Sequence, residues 1–172
     1  REATEGAVIA KVTEDGKLGT IISLNCETDF VAKNEDFVKF AVSIADFALE
    51  NSPASLDDLK ALPYEEKTLA DRIIAQSGIT GEKIELSYFS KINAEKVVGY
   101  IHPGNKLATL VGFNNGEVNE QVYKDIAMQI AAMSPVAIDI DEVPQKVRDE
   151  EFKIGREAAR LEGKPEKILD KI

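Results

Sequence analysis

The chain has 172 residues, 44% of them apolar and 30% charged, a balance typical of a folded protein and unlike disordered or membrane-embedded chains. Its formal net charge is −10, the wrong sign for a phosphate backbone, which argues against direct nucleic-acid binding. One cysteine and one histidine leave no internal disulfide and no Cys/His zinc set, and no apolar run approaches the roughly 20 residues of a bilayer crossing.

No basic start precedes a short apolar stretch, so the chain reads as cytoplasmic, with no membrane partner, and its opening Arg1 in place of methionine reads as the mark of a fragment or processed product. Residues Ala7 to Thr13 and Leu18 to Asn25 alternate as strands, and Asp15-Gly16 between them supplies the backbone freedom of a hairpin turn. Cys26 shares a strand face with Ile22 and Leu24, which makes it a buried filler rather than a reactive thiol. Asn34 is a candidate N-cap for a helix whose Phe37, Phe40, Ala41, Ile44, Phe47 and Ala48 recur at three and four residues. Asn51-Ser52-Pro53 ends it, Ser55 caps a short helix, and Pro63 with Glu65 and Glu66 predicts the opening of another that carries Leu69, Ile73 and Ile74 until Gly78 and Gly81 stop it.

From Glu82 the period returns to two. Ile84, Leu86 and Tyr88 mark one strand, and Val97 to Ile101 and Leu107 to Phe113 form a hairpin across His102-Pro103-Gly104-Asn105. Asn119 then caps a helix with Val122, Tyr123, Ile126, Ala127, Ile130 and Ala131 on one side, halted by Ser134-Pro135. The order strand, strand, helix has now occurred twice. Lys17-Leu18-Gly19-Thr20-Ile21-Ile22 is echoed by Lys106-Leu107-Ala108-Thr109-Leu110-Val111, which predicts a duplicated unit. Beyond Pro144, Val147, Ile154, Ala158 and Leu161 trace a thin apolar seam through charged residues up to Gly163-Lys164-Pro165, and Pro165 to Leu169 reads as the first turns of a return helix.

No Walker-type phosphate loop or dinucleotide fingerprint is present. Asp139, Asp141 and Glu142 cluster, but their spacing fits no EF-hand, and acids before a helix ordinarily complement its dipole. The informative feature is Thr28-Asp29-Phe30-Val31, two apolar side chains on a connection where small polar residues are the rule. Two readings stand side by side. Phe30 tucks under the following helix as a staple, with Asp29 capping the turn, or it stands out as an anchor for another protein.

The run Asn25-Cys26-Glu27-Thr28-Asp29-Phe30-Val31-Ala32-Lys33 closely resembles the signature of the bacterial translation elongation factor Ts family. The resemblance continues in Glu5-Gly6-Ala7-Val8, in Gly99-Tyr100-Ile101-His102-Pro103-Gly104, in the run from Ile126 to Ala132, and in Gly163-Lys164-Pro165, and so covers nearly the whole chain. It implies guanine-nucleotide exchange on elongation factor Tu, with no catalytic residue, metal or cofactor of the chain's own. On that resemblance Asp29 and Phe30, flanked by Thr28 and Val31, press into the GTPase beside its nucleotide and shift the elements that hold magnesium. His102 matches the family histidine near the GTPase. Thr80-Gly81 falls where the family commonly carries an apolar residue followed by glycine, Thr80 being the departure. The helix from Ala127 to Ala132 resembles a segment that approaches another domain of the GTPase, and Met128 and Gln129 are its candidate contacts, the remaining apolar residues being core.

Family members begin with a small three-helix domain and continue past the helical hairpin. The expectation is therefore a core with an unpaired arm, binding elongation factor Tu more weakly than an intact factor and able to form a homodimer through the arm's exposed seam. The fold class expected is α+β, two similar subdomains of antiparallel sheet flanked by helices plus a C-terminal helical arm, with boundaries at 1–93, 94–142 and 143–172. Two rival readings differ from exchange: a protein-interaction module that shares only the fold and keeps Phe30 in its core, and a carboxylate-dependent hydrolase using Asp139 or Asp141.

Overall fold

The computed structural model describes residues 2–165. Strands β1 (Glu5–Val12) and β2 (Leu18–Cys26) form an antiparallel hairpin, and β5 (Glu85–Asn93) joins the other edge of β2, giving a three-stranded sheet in the order β1-β2-β5. Side chains alternate across the sheet. Ala7, Ile9, Ile22, Leu24, Cys26 and Leu86 fall on one face, where helix α2 (Glu35–Asn51) lays Phe37, Phe40, Ala41, Ile44, Ala45 and Ala48 over them to make the main core. Asn34 caps α2, its Oδ1 accepting from Asp36 N at 2.8 Å and Phe37 N at 3.3 Å. A short helix α1 (Asp29–Ala32) precedes α2, and α3 (Leu56–Ala61) follows it.

The segment after α3 departs from the expected helix start. Pro63–Tyr64 (β3) and Lys67–Thr68 (β4) pair as a small hairpin with Glu65 at positive φ, and the helix α4 (Leu69–Thr80) opens only at Thr68. The reason is a reciprocal capping box: Thr68 Oγ1 accepts from Asp71 N at 3.2 Å while Asp71 Oδ2 accepts from Thr68 N at 3.2 Å. Gly78 does not stop α4, which runs through it to a left-handed cap at Gly81, and Ile74 points away from the buried face of Leu69, Ile73 and Gln76.

A second antiparallel hairpin, β6 (Lys96–Ile101) with β7 (Ala108–Phe113), lies across the opposite face of the first sheet. The two layers meet at glycines. A Cβ on Gly19 would stand 2.6 Å from Leu110 Cδ1 and 2.7 Å from Val97 Cγ1, and one on Gly112 2.7 Å from Ile92 Cγ2. Helix α5 (Glu120–Met133) packs on this hairpin through Tyr123, Ala127 and Ala131, whose spacing of four residues keeps them on one face. Val122 and Ile126, expected on the same buried side, sit on the neighbouring stripe and are exposed.

The two hairpins correspond in detail, although the first belongs to a three-stranded sheet and the second stands as two strands. Both hairpins close with the same turn: Thr13 N donates to Leu18 O at 2.9 Å and Gly16 N to Thr13 O at 2.9 Å, while His102 N donates to Leu107 O at 2.8 Å and Asn105 N to His102 O at 3.0 Å. Gly16 and Asn105 occupy the same left-handed position, at φ 68° and 57°. Thr20 and Thr109, aligned by the sequence echo, each donate the hydroxyl to a carbonyl of the helix that follows, Ala45 O at 3.3 Å and Ala127 O at 2.9 Å.

Contacts divide the chain into two compact units, 1–133 and 134–172. In the second, a short 3-10 turn (Ile140–Glu142) leads to α6 (Gln145–Leu161), and Arg148 ties them by donating to the carbonyls of Ile140 and Val143. Ile154, Ala158 and Leu161 of the expected seam are exposed, and the buried side chain on α6 is Ala159. The expected return helix lies outside the described residues. No helix among those described is long and apolar enough to cross a membrane.

Candidate functional site

The connection from β2 to α2 is built from two caps in succession. Thr28, in extended backbone, accepts from Val31 N at Oγ1 (3.4 Å) and starts α1; Asn34 starts α2 three residues after Val31. Thr28, not Asp29, is therefore the cap. Within the single turn between them, Val31 packs against the main core and Ala32 is buried, so the helical step turns Phe30 the other way. Phe30 is 83% exposed. The staple reading of Phe30, and with it the rival in which Phe30 is core, does not hold.

Asp29 sits beside this ring with its carboxylate engaged by Lys33 Nζ at 2.6 Å. That hydrogen bond, and then the charge of Lys33, hold the Asp29 carboxyl below the usual carboxylate range, with Lys106 from the β6–β7 turn adding to the same field. Asp29 stays anionic at every physiological pH.

Phe30, Val31, Asn34, Asp36 and Phe37 share an open groove of about 400 Å³ with Gln76, Ile79 and Thr80 from the end of α4. The structure thus brings Thr80 to the same groove as Phe30, although the Thr80 hydroxyl is turned back on its own helix, donating to Gln76 O at 3.1 Å, and Gly81 serves as the helix cap. Ile79 is the residue that sequence reasoning misses. It is 72% exposed and supplies an apolar side chain beside the polar Thr80. Its signal is present in the pattern: from Ile73 to Ile79 a helix turns by about 600°, which takes Ile79 off the buried face.

His102 stands exposed in the β6–β7 turn, its Nδ1 2.9 Å from Tyr100 Oη, and the turn is held to β1 by Val8 N donating to Asn105 O at 2.7 Å. Met128 and Gln129 are exposed on α5 and are not part of the groove lining. Cys26 is fully buried and donates to Thr28 O at 3.2 Å; burial, then the nearby Glu82 charge, push its thiol up to about 11. A thiol so placed stays protonated and unreactive. Asp139, Asp141 and Glu142 lie exposed around the 3-10 turn, and among the described residues no three His, Cys, Asp or Glu side chains converge as a metal site.

Scaffold and site together define a class: an α+β protein whose distinguishing feature is a rigid, doubly capped turn displaying an aromatic ring and a carboxylate. Comparison with known proteins narrows the class. The family model described as elongation factor TS matches residues 27–172. Curated relatives named elongation factor Ts include that of Azobacteroides pseudotrichonymphae, 46% identical over 172 residues, and that of Porphyromonas gingivalis, 46% identical over 173; each alignment takes in 100% of this chain and 62% of the relative. The relative from Amoebophilus asiaticus is 47% identical over 174 residues, again across 100% of this chain and 63% of its own length. The chain belongs to the elongation factor Ts family, and it spans about 62% of the length of these relatives.

Proposed function

We propose that the chain acts as a guanine-nucleotide exchange factor that promotes GDP release from elongation factor Tu, with Asp29 and Phe30 as the intruding pair and no bond made or broken by the exchange factor itself. The observation that carries this reading is the exposure of Phe30 on a turn that two caps hold rigid. An aromatic presented this way buries a large area on docking while freezing few rotors, the usual form of an interface hot spot. Ile79 extends the apolar contact, and the permanent charge of Asp29 adds orientation. His102, Thr80, Gly81, Met128 and Gln129 are proposed as peripheral contacts.

The physical logic of release is short. A nucleotide held through magnesium depends on near-ideal octahedral geometry at about 2.0–2.1 Å, so a displacement of its supports by roughly an ångström removes much of its binding. A ring inserted between those supports is sufficient. Linkage then makes the effect reciprocal: whatever factor this chain takes from GDP affinity, GDP takes from the affinity of this chain. The complex is therefore transient, and entry of GTP expels the factor in turn.

The test is stopped-flow release of a fluorescent GDP analogue from elongation factor Tu, with and without the chain. Release that accelerates with added chain and saturates supports the reading; release at the intrinsic rate at all concentrations refutes it.

A further inference from the structure

Behind the exposed turn lies a clasp that the capping residues do not account for. Glu82, the first residue after the left-handed glycine that ends α4, sends its carboxylate to the start of α1. Its Oε2 accepts from Glu27 N at 3.0 Å and Thr28 N at 3.1 Å, and its Oε1 accepts from Thr28 Oγ1 at 2.5 Å. The clasp is reciprocal, because Glu27 Oε1 accepts from Lys83 N at 2.9 Å. Four hydrogen bonds with a charged acceptor thus join two segments that lie 54 to 56 residues apart in sequence.

The geometry does two things. By accepting the hydrogen bond of the Thr28 hydroxyl, Glu82 leaves the oxygen lone pairs free to face Val31 N, which is the bond that starts α1. By holding Glu27 and Thr28 against the end of α4, it also fixes the separation of the two apolar tips of the groove, Phe30 on α1 and Ile79 on α4. The Glu27 side chain, bound to Lys83 N, braces the same two segments from the other side.

We infer that Glu82 is the positioning residue of the exposed turn, setting the Thr28 cap and the spacing of Phe30 from Ile79, and acting through Thr28 rather than as an intruding group itself. The inference rests on the exchange reading for its consequence, and on the hydrogen bonds alone for its structural content. Reach matters to the clasp more than charge: glutamine of the same length can accept from the backbone amides and donate to one lone pair of the Thr28 hydroxyl, leaving the other for Val31 N, whereas aspartate, shorter by one methylene, cannot reach.

The experiment compares Glu82→Ala, Glu82→Asp and Glu82→Gln with the parent chain by two readouts. In stopped-flow GDP release from elongation factor Tu, the alanine and aspartate variants are expected to lower the maximal release rate by about 10-fold, the scale of one lost hydrogen bond to a charged group, while glutamine stays near the parent. In amide hydrogen exchange, Thr28 is expected to lose protection in the alanine and aspartate variants while Ile22 and Leu24 in β2 keep theirs. Should alanine lower the melting temperature into the assay range, the aspartate variant is read in its place. Parent-like release by alanine and aspartate, unchanged protection at Thr28, or a glutamine variant as impaired as alanine would each overturn the inference. If the parent chain itself fails to accelerate release, the exchange reading fails, and the Thr28 protection data still decide whether the clasp exists.

Discussion

Phe30 shows its ring to solvent, so the native fold gains little from it. Replacing it by alanine is expected to change stability by less than about 0.5 kcal/mol, against the roughly 3–5 kcal/mol that a buried phenylalanine would cost, and thermal melting of the two proteins measures the difference. The neighbouring carboxylate makes a second prediction. Asp29 is lowered in the folded state, so its contribution to stability is present above the unfolded value near 3.9 and is lost as pH falls through the lowered folded value. Replacing Lys33 by alanine removes the main cause and should bring Asp29 back toward about 3.9 in an NMR titration. Phe30 is legible in the sequence as an anomaly, an aromatic on a connection where small polar residues are the rule, but only its exposure separates the anchor from the staple. The Glu82 clasp is not, because nothing local marks a glutamate that pairs with backbone more than 50 residues away.

Among the elements, the start of α4 separates pattern from outcome. Pro63 followed by Glu65 and Glu66 has the composition of a helix opening, yet Thr68 and Asp71 form the tighter cap and leave the proline segment to a small hairpin. The competing signal, Thr-x-x-Asp from Thr68 to Asp71, is in the sequence and marks the observed start. Replacing Thr68 by alanine is expected to cost about 1 kcal/mol in denaturant unfolding with no change in GDP release, since the cap lies away from the groove. Strand periods and the α2 stripe are legible because one face of each is buried in a single core. The apolar residues of α5 form two adjacent stripes, and a helical wheel cannot say which of them finds the sheet. Sheet-to-sheet contact is equally silent in the sequence: Gly112 reads as an ordinary strand glycine, but valine there would drive a side chain into Ile92 and is expected to destabilise by about 1–3 kcal/mol.

At the scale of the molecule, one hairpin-and-helix unit is used twice, down to the turn in which Thr13 and Gly16 have their counterparts in His102 and Asn105. The six-residue echo around Thr20 and Thr109 carries this because both threonines donate to the helix that follows and both turns need a left-handed residue at the same place. The first unit adds α1 between strand and helix, and with it the displayed ring; the second has no counterpart to it. The most direct test of the account is therefore a paired measurement on the parent chain and Phe30→Ala: the saturating rate of fluorescent GDP release from elongation factor Tu, and the melting temperature. The account predicts that the alanine variant loses most of the acceleration while melting within about a degree or two of the parent. A variant that accelerates release as well as the parent, or one that loses activity only because it has unfolded, would contradict it.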